Sequence, residues 1–394
     1  MQLRLTRGRL GLVAGLLLLC IALVAVLIVR ASVKDGQSSV KVMTRNLYLG
    51  ADINRPLRAV QDRTGRDALL ALGHANHELR EIVERTNFDA RSELLAAEIA
   101  AARPDLMGLQ EVALWRHGPL QLDRVGRLDA VEIEADFLEI LRGALSERGL
   151  AYDVVSMQQE SDVEGPAFTG DPFKGTLYAG RDVRLTVSDV IMMRRGSGVR
   201  ITDSGGGQYS HRIDVTLAGV GFPFIRGYAW ADVAIGRAPL RFVTTHFESL
   251  SADLALAQAR ELLAGPAGPT PMTTVIVCDC NSDPNSGVVA PQDKAPPSAA
   301  YQLLTQRGGF SDLWLQQQSP AGPGYTAGLS ELVNDSTADA FNRRLDLVLA
   351  RPARKTDVAI AGGDVIGDQL TDRDDRTGLW PSDHAGVVMQ LQIA

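Results

Sequence analysis

Residues 103–112 read Arg103-Pro104-Asp105-Leu106-Met107-Gly108-Leu109-Gln110-Glu111-Val112, and this stretch decides the fold. Arg103-Pro104 stops a helical pattern, because the residue before a proline is pushed out of the α region. Asp105 to Gln110 then predicts a buried strand that delivers Glu111 at its end. Upstream, Ala59 to Ala102 carries the helix, with Leu95, Ile99 and Ala102 at helical spacing after Asp89. Before it, Ser38 to Thr44 alternates as a strand, Val40, Val42 and Thr44 facing one way and Lys41 and Met43 the other.

Downstream, Glu132 to Arg148 predicts a helix, Tyr152 to Met157 a strand, and the Gly/Pro/Asp-rich stretch Glu160 to Gly180 a loop. Strands are predicted at Ser188–Met193, Tyr228–Ile235 and Leu240–His246, and a helix at Ala252–Ala264 closed by Gly265-Pro266. Met272 to Asp279 reads as a continuous apolar strand, and Leu345–Leu349 and Ala385–Ile393 as the last two. Helices come singly between strands, and the chain has no linker long enough to separate a second domain from the first; Ala295–Ser298 reads as a surface loop. One α/β domain with a layered sheet core follows.

The chain carries a net charge of −7, and its first 34 residues hold five of the positive charges and no acid, so the remainder stands at −12. An acidic body argues against sequence-blind wrapping of long nucleic acid, which needs many Lys and Arg against phosphates. It leaves a nuclease open, since a bound metal supplies positive charge where the reacting phosphate sits. Cys20, Cys278 and Cys280 make no disulfide framework; the last two share one strand face, where a mutual bridge is badly strained, and free thiols are expected.

Gly11 to Val29 has no charged residue, and at about 1.5 Å rise per residue it nearly matches a hydrocarbon core of roughly 30 Å. It predicts a transmembrane anchor, with a cleaved signal peptide as the alternative. Arg4, Arg7 and Arg9 precede it, so residues 1–10 form a cytoplasmic basic tail, 30–37 a short linker, and 38–394 a catalytic domain outside the membrane.

Polar clusters recur at predicted strand ends: Thr44-Arg45-Asn46, Gln110-Glu111, Thr244-Thr245-His246-Phe247-Glu248, Cys278-Asp279-Cys280-Asn281-Ser282-Asp283-Pro284, Arg343-Arg344-Leu345-Asp346 and Ser382-Asp383-His384. In this order they resemble the endonuclease/exonuclease/phosphatase superfamily, which includes pancreatic-type deoxyribonucleases, exonuclease III-like nucleases, inositol polyphosphate phosphatases and neutral sphingomyelinases. The stretches NLYLGAD (46–52), RPDLMGLQEV (103–112) and LWPSDHAGVV (379–388) resemble a bacterial, membrane-anchored branch of it. The resemblance covers nearly all of 38–394 and implies a four-layered α/β/β/α sandwich of two packed, mostly antiparallel sheets.

It also implies roles. A phosphodiester repels its nucleophile, so a hard divalent cation, Mg²⁺ or Mn²⁺, is expected on Glu111, with Asn46 beside it and Asp383 near a second or shared position. Asp279 is expected to orient and deprotonate the attacking water, and the Asn281 amide to donate to the phosphoryl oxygen. His384, assisted by Asp346, would bind the phosphate or protonate the departing oxygen, and His246 would hold its other side. Pairing with a carboxylate should keep both imidazoles protonated nearer neutral pH. Where the family usually has Gly-Asp-(aromatic or Leu)-Asn, this chain has Cys278 and Cys280 around Asp279. Arg226-Gly227 matches a recurrent family feature of no assigned role and stays outside the expected site.

The expected activity is therefore an extracytoplasmic, metal-dependent phosphoesterase acting on nucleic acid, a phospholipid head group or a small diester. The expected partners are that substrate and the membrane, with the protein a monomer. The competing readings are a phosphate-binding module without turnover and a membrane scaffold.

Overall fold

The alternation at the start of the body is carried into three dimensions by β1 (Ser38–Asn46), whose Val40 and Val42 enter the core between two sheets while Met43 packs under the outer helices. The computed structural model describes residues 38–217, 220–318 and 322–394. The expected anchor at 11–29, the tail and linker around it, and Cys20 lie outside the described residues. Among those described, no helix is long and apolar enough to cross a membrane.

The helical stretch before the key strand is three helices: α1 (Asn54–Val60), α2 (Gly65–Arg85) and α3 (Phe88–Ala102). The last break comes at Asn87, whose side chain accepts from Ala90 N (3.2 Å) and caps α3. β2 (Leu106–Pro119) does not end at Glu111 as expected. It runs eight residues further, because Val112 to Pro119 find a ladder partner in a later strand. The predicted helix at 132–148 begins as a strand, β3 (Glu132–Asp136), paired with β2. α4 (Phe137–Glu147) follows, capped by Asp136.

The predicted loop at 160–180 is corrected. β4 (Tyr152–Thr169) and β5 (Tyr178–Arg194) pair through most of it, leaving only a short connection. Pro166 is tolerated because β4 lies at the sheet edge, where a missing N–H costs no ladder bond. β6 (Val199–Gln208), β7 (Ile213–Leu217) and β8 (Val220–Phe224) precede β9 (Gly227–Ile235) and β10 (Ala238–His246). α5 (Ala252–Ala264), β11 (Thr273–Asp279), the two-residue β12 (Ser311–Asp312), β13 (Asp346–Arg351), β14 (Val358–Ile366) and β15 (Gly386–Ile393) follow, with a short helical segment at Ala299–Gln302 and Leu303–Arg307 between β11 and β12.

Among the described residues, one sheet runs β14-β15-β1-β2-β5-β4, with β3 beside β2, and the other β12-β13-β11-β10-β9-β6. Each holds one parallel pair, β1 with β2 and β10 with β11; the other pairs are antiparallel. The faces turned together bury Val40, Val42, Leu106 and Ile191 against Ala231, Phe242, Val275 and Val277. α2, α3 and α4 cover the outside of the first sheet, and α5 that of the second. This is the α/β/β/α layering that was expected.

The sheets approach closely beneath the rim. A methyl at Gly108 would meet Thr244 Oγ1 and a Val277 methyl at 2.5 Å, so glycine is required there. Next to it Gln110 Nε2 donates to Thr244 Oγ1 (2.8 Å) and Gln110 Oε1 accepts from Thr44 Oγ1 (3.2 Å), tying one sheet to the other.

The expectation of free thiols at Cys278 and Cys280 is overturned, for the two are bridged. Their Cα atoms are 5.0 Å apart, less than the roughly 6.7 Å that two extended residues span, because β11 ends at Asp279 and the chain bends there. Both sulfurs lie in the apolar layer under α5, and Asp279 is left facing the rim.

Candidate active site

The ends of β1, β10 and β11 bring Asn46, His246 and Asp279 to one rim of the two sheets. Asp279 is the hub. Its Oδ2 accepts from Asn46 Nδ2 (2.9 Å) and lies 3.3 Å from His246 Nε2 and 3.7 Å from His384 Nε2. Its Oδ1 accepts from Asn281 N (3.1 Å). Burial would raise its pKa, but His384, His246 and the Asn46 amide outweigh that and hold it below the ordinary value. The carboxylate is therefore ionised at neutral pH.

His384 stands just before β15, its Nδ1 2.7 Å from Asp346 Oδ2 at the start of β13. Burial alone would lower the His384 pKa, but Asp346, Asp279 and Asp383 hold it well above the ordinary value, so it is an imidazolium. His246 behaves differently from the expectation. Its Nδ1 accepts from Arg226 Nη1 (2.8 Å), and burial together with that guanidinium pushes its pKa down to about 3. It is a neutral ring, with Nε2–H turned to Asp279, because the cation at Nδ1 outweighs the carboxylate at Nε2.

Glu111 is presented by a bulge, not by a strand end. The register between β2 and β5 shifts between Leu109 and Val112, and Glu111 takes a left-handed φ of 55°. Such a bulge adds a residue and re-aims its side chain. One carboxylate oxygen accepts from Leu49 N (2.9 Å). Burial, with Asp383 close by, pushes its pKa up to about 7, and burial raises that of Asp383 as well. Asn46 Oδ1 accepts from Tyr48 N (2.8 Å), which folds the 46–49 turn around the acid.

The buried Arg91 of α3 fixes that turn. Its guanidinium donates to the carbonyls of Thr86, Leu47, Tyr48 and Pro381 at 2.7–3.0 Å. It thereby joins the segment bearing Asn46 to the one bearing Asp383. Arg91→Leu strands four buried carbonyls and is expected to cost about 3 kcal/mol or more. A urea midpoint unchanged from wild type would refute this.

Glu111, His246, Asp279, Asn281, Asp383 and His384 line a polar cleft of about 490 Å³, and Asn46 and Asp346 stand directly behind it. All eight predicted residues thus converge. Asn281, like His246, differs from the expectation: an amide N–H is committed to the Phe247 carbonyl (2.9 Å), and the residue has a φ of 42°, so it closes the turn after Asp279. Only its second N–H is open to a ligand.

The sequence reading left out Arg226 and Glu160, which also line the cleft, and Asp189 beneath it. Arg226 lies 3.8 Å from both Glu160 and Glu248. The Arg226-Gly227 dipeptide was visible in the sequence. Glu160 lay in the stretch read as a loop, and Asp189 in an apolar strand where nothing singled it out. His74 bonds the Gly170 carbonyl (2.7 Å) and His77 lies 3.5 Å from Glu81, and neither lines the cleft.

No curated protein matches the sequence. Solved structures similar to it include an endonuclease/exonuclease/phosphatase from Beutenbergia cavernae DSM 12333, 20% identical over 91% of this chain and 72% of that one, with a TM-score of 0.49. D. rerio TDP2 complexed with single-strand DNA product is 17% identical over 90% of this chain and 99% of that one, at a TM-score of 0.47. An endonuclease/exonuclease/phosphatase family protein from Bacteroides thetaiotaomicron is 14% identical over 90% and 98%, at 0.48. The sequence pattern of the Endonuclease/Exonuclease/phosphatase family matches residues 80–384, well over half of the chain and most of the strands that build the cleft, so the chain belongs to that family.

Proposed function

We propose that this protein is a divalent-metal-dependent phosphoesterase that hydrolyses a phosphodiester by in-line attack of water. The observation that carries the reading is the charge pattern around Asp279: an ionised carboxylate flanked by a neutral histidine and an imidazolium on the wall of one cleft. Members of the family typically use a divalent metal, and the residues fit one. Glu111 keeps one oxygen free of Leu49, Asp383 stands close enough to raise its pKa, and the Asn46 carbonyl oxygen has a second lone pair. A bound cation would neutralise the phosphate and steady the leaving oxygen.

The protein groups supply the rest. Asp279 accepts the proton of the attacking water, His246 Nε2–H steadies that carboxylate, the free Asn281 N–H donates to a phosphoryl oxygen, and the His384 imidazolium gives its proton to the departing oxygen. Arg343, on the cleft wall, adds positive charge for the substrate. The substrate class proposed is a nucleic acid, a phospholipid head group or a small diester. Purified protein should hydrolyse at least one of plasmid DNA, RNA, sphingomyelin, a phosphoinositide or bis(nitrophenyl) phosphate when Mg²⁺ or Mn²⁺ is added. Binding of such ligands with no turnover on any of them would instead favour the binding-module reading.

We also propose that Gly11–Val29 holds the body outside the membrane, on the strength of its apolar length and the three arginines before it. The protein is expected in the membrane fraction, with its body cleaved by protease added to intact spheroplasts. A soluble extracytoplasmic form beginning near Ala31 would show a cleaved signal instead.

A further inference from the structure

β5 is flanked by bulges on both sides at one level. Ser188 pairs with Val112 of β2 and with Gln159 of β4, and the ladders slip between Leu109 and Val112 and between Gln159 and Asp162. The first slip delivers Glu111; the second delivers Glu160, whose Oε1 accepts from Gly227 N (2.8 Å). Between them stands Asp189, wholly buried. Among the described residues neither Asp189 oxygen has a hydrogen-bond partner, and neither does Glu160 Oε2. Three orphaned carboxylate oxygens in the interior are costly unless a cation or a proton joins them.

His246 completes the group. Its Nε2 faces Asp279, so its Nδ1 lone pair faces Arg226 and Glu160. One ligand atom each from Glu160, Asp189 and His246 lie within 4.8 Å of one another, close to the span of two metal–ligand bonds of about 2.1 Å. We propose that Glu160, Asp189 and His246 Nδ1 form a second cation site, separate from Glu111, Asn46 and Asp383. One imidazole and two carboxylates suit Mn²⁺ or Zn²⁺ better than Mg²⁺ or Ca²⁺.

Arg226 is the competitor for this place. Its Nη1 lies 2.8 Å from His246 Nδ1 and 3.8 Å from Glu160 Oε2, while its Nε lies 3.8 Å from Glu248. It brings one positive charge against Glu160, Asp189 and Glu248, and it leaves Asp189 unpartnered. An entering ion takes the Nδ1 lone pair, and the guanidinium retreats toward Glu248.

The test is Mn²⁺ titration of the chelator-stripped full chain, with free Mn²⁺ followed by electron paramagnetic resonance. Wild type should bind two ions per chain, Asp189→Asn and Glu160→Gln one each, Glu111→Gln one, and the Asp189→Asn/Glu111→Gln double variant none. Arg226→Met should keep two and bind the second more tightly. Near-ultraviolet circular dichroism identifies any variant that has lost its fold, and Glu160→Gln and Asp189→Asn check each other. One ion in wild type, unaffected by Asp189→Asn and Glu160→Gln, overturns the site and leaves a proton shared by Glu160 and Asp189. Hydrolysis is scored separately: one ion with turnover rejects only the second site, and two ions without turnover reject only the phosphoesterase.

Discussion

Replacing Asp279 with Ala is expected to lower kcat by about 10³-fold or more on every substrate, whatever its leaving group. The residue is the ionised centre of the cleft, held by Asn46, Asn281, His246 and His384, and a water poised for in-line attack has to give up its proton in every turnover. His384 should behave differently. As an imidazolium it supplies the proton that a basic departing oxygen needs, whereas nitrophenolate leaves without help. His384→Ala should therefore lose far more activity on a nucleoside or alkyl diester than on a nitrophenyl diester. Asp346→Asn removes the carboxylate that raises the His384 pKa, so the alkaline limb of kcat on an alkyl diester should move toward lower pH. Equal losses for His384→Ala on both leaving groups would assign His384 to phosphate binding alone. Near-normal rates for Asp279→Ala would remove it as the base.

The second large effect is expected at Glu111. Glu111→Gln keeps the shape and the acceptor for Leu49 N, but it places an amide where a hard cation wants charge. Metal affinity should fall by at least about 100-fold, the upper end of what loss of even an outer-sphere partner costs. Some activity should return as Mg²⁺ or Mn²⁺ is raised. The Glu111 pKa near 7 adds a sign that can be checked. Below it the carboxyl holds a proton and is lost as a ligand, so activity at limiting metal should fall as pH drops through about 7. Raising the metal concentration should move that limb to lower pH, because cation and proton compete for one oxygen. Calorimetry showing wild-type metal affinity in the variant would exclude Glu111 as a ligand.

Much of this was legible along the chain because it rests on local rules. The apolar strands that end in Asn46, His246 and Asp279 bury both faces, so their hydrophobic runs and polar termini stand out in the sequence. α5 was bounded by Gly265-Pro266 and forms where predicted, and the structure adds the Ser251 cap at its start. Two of the edge strands were not legible. β6 carries Gly205, Gly206 and Gly207, and β14 carries Gly362 and Gly363. Their strand character comes from the ladders of β9 and β15 beside them, not from their own propensity.

The sequence by itself determined the layered α/β class and the residue types of the cleft, through periodicity and the polar clusters at strand ends. Tertiary structure alone decided how those residues are charged and aimed. Glu111 and Glu160 are turned inward by bulges, and a bulge depends on which strand pairs with which across more than 20 residues. His246 and His384 are the same residue type, each near Asp279, yet one is neutral and the other cationic because Arg226 faces the first and Asp346 the second. Cys278 and Cys280 are bridged because the chain bends where β11 ends, and a two-residue spacing in sequence carries no record of that bend. Long-range neighbours set field and direction, and those neighbours exist only once the two sheets have closed on each other.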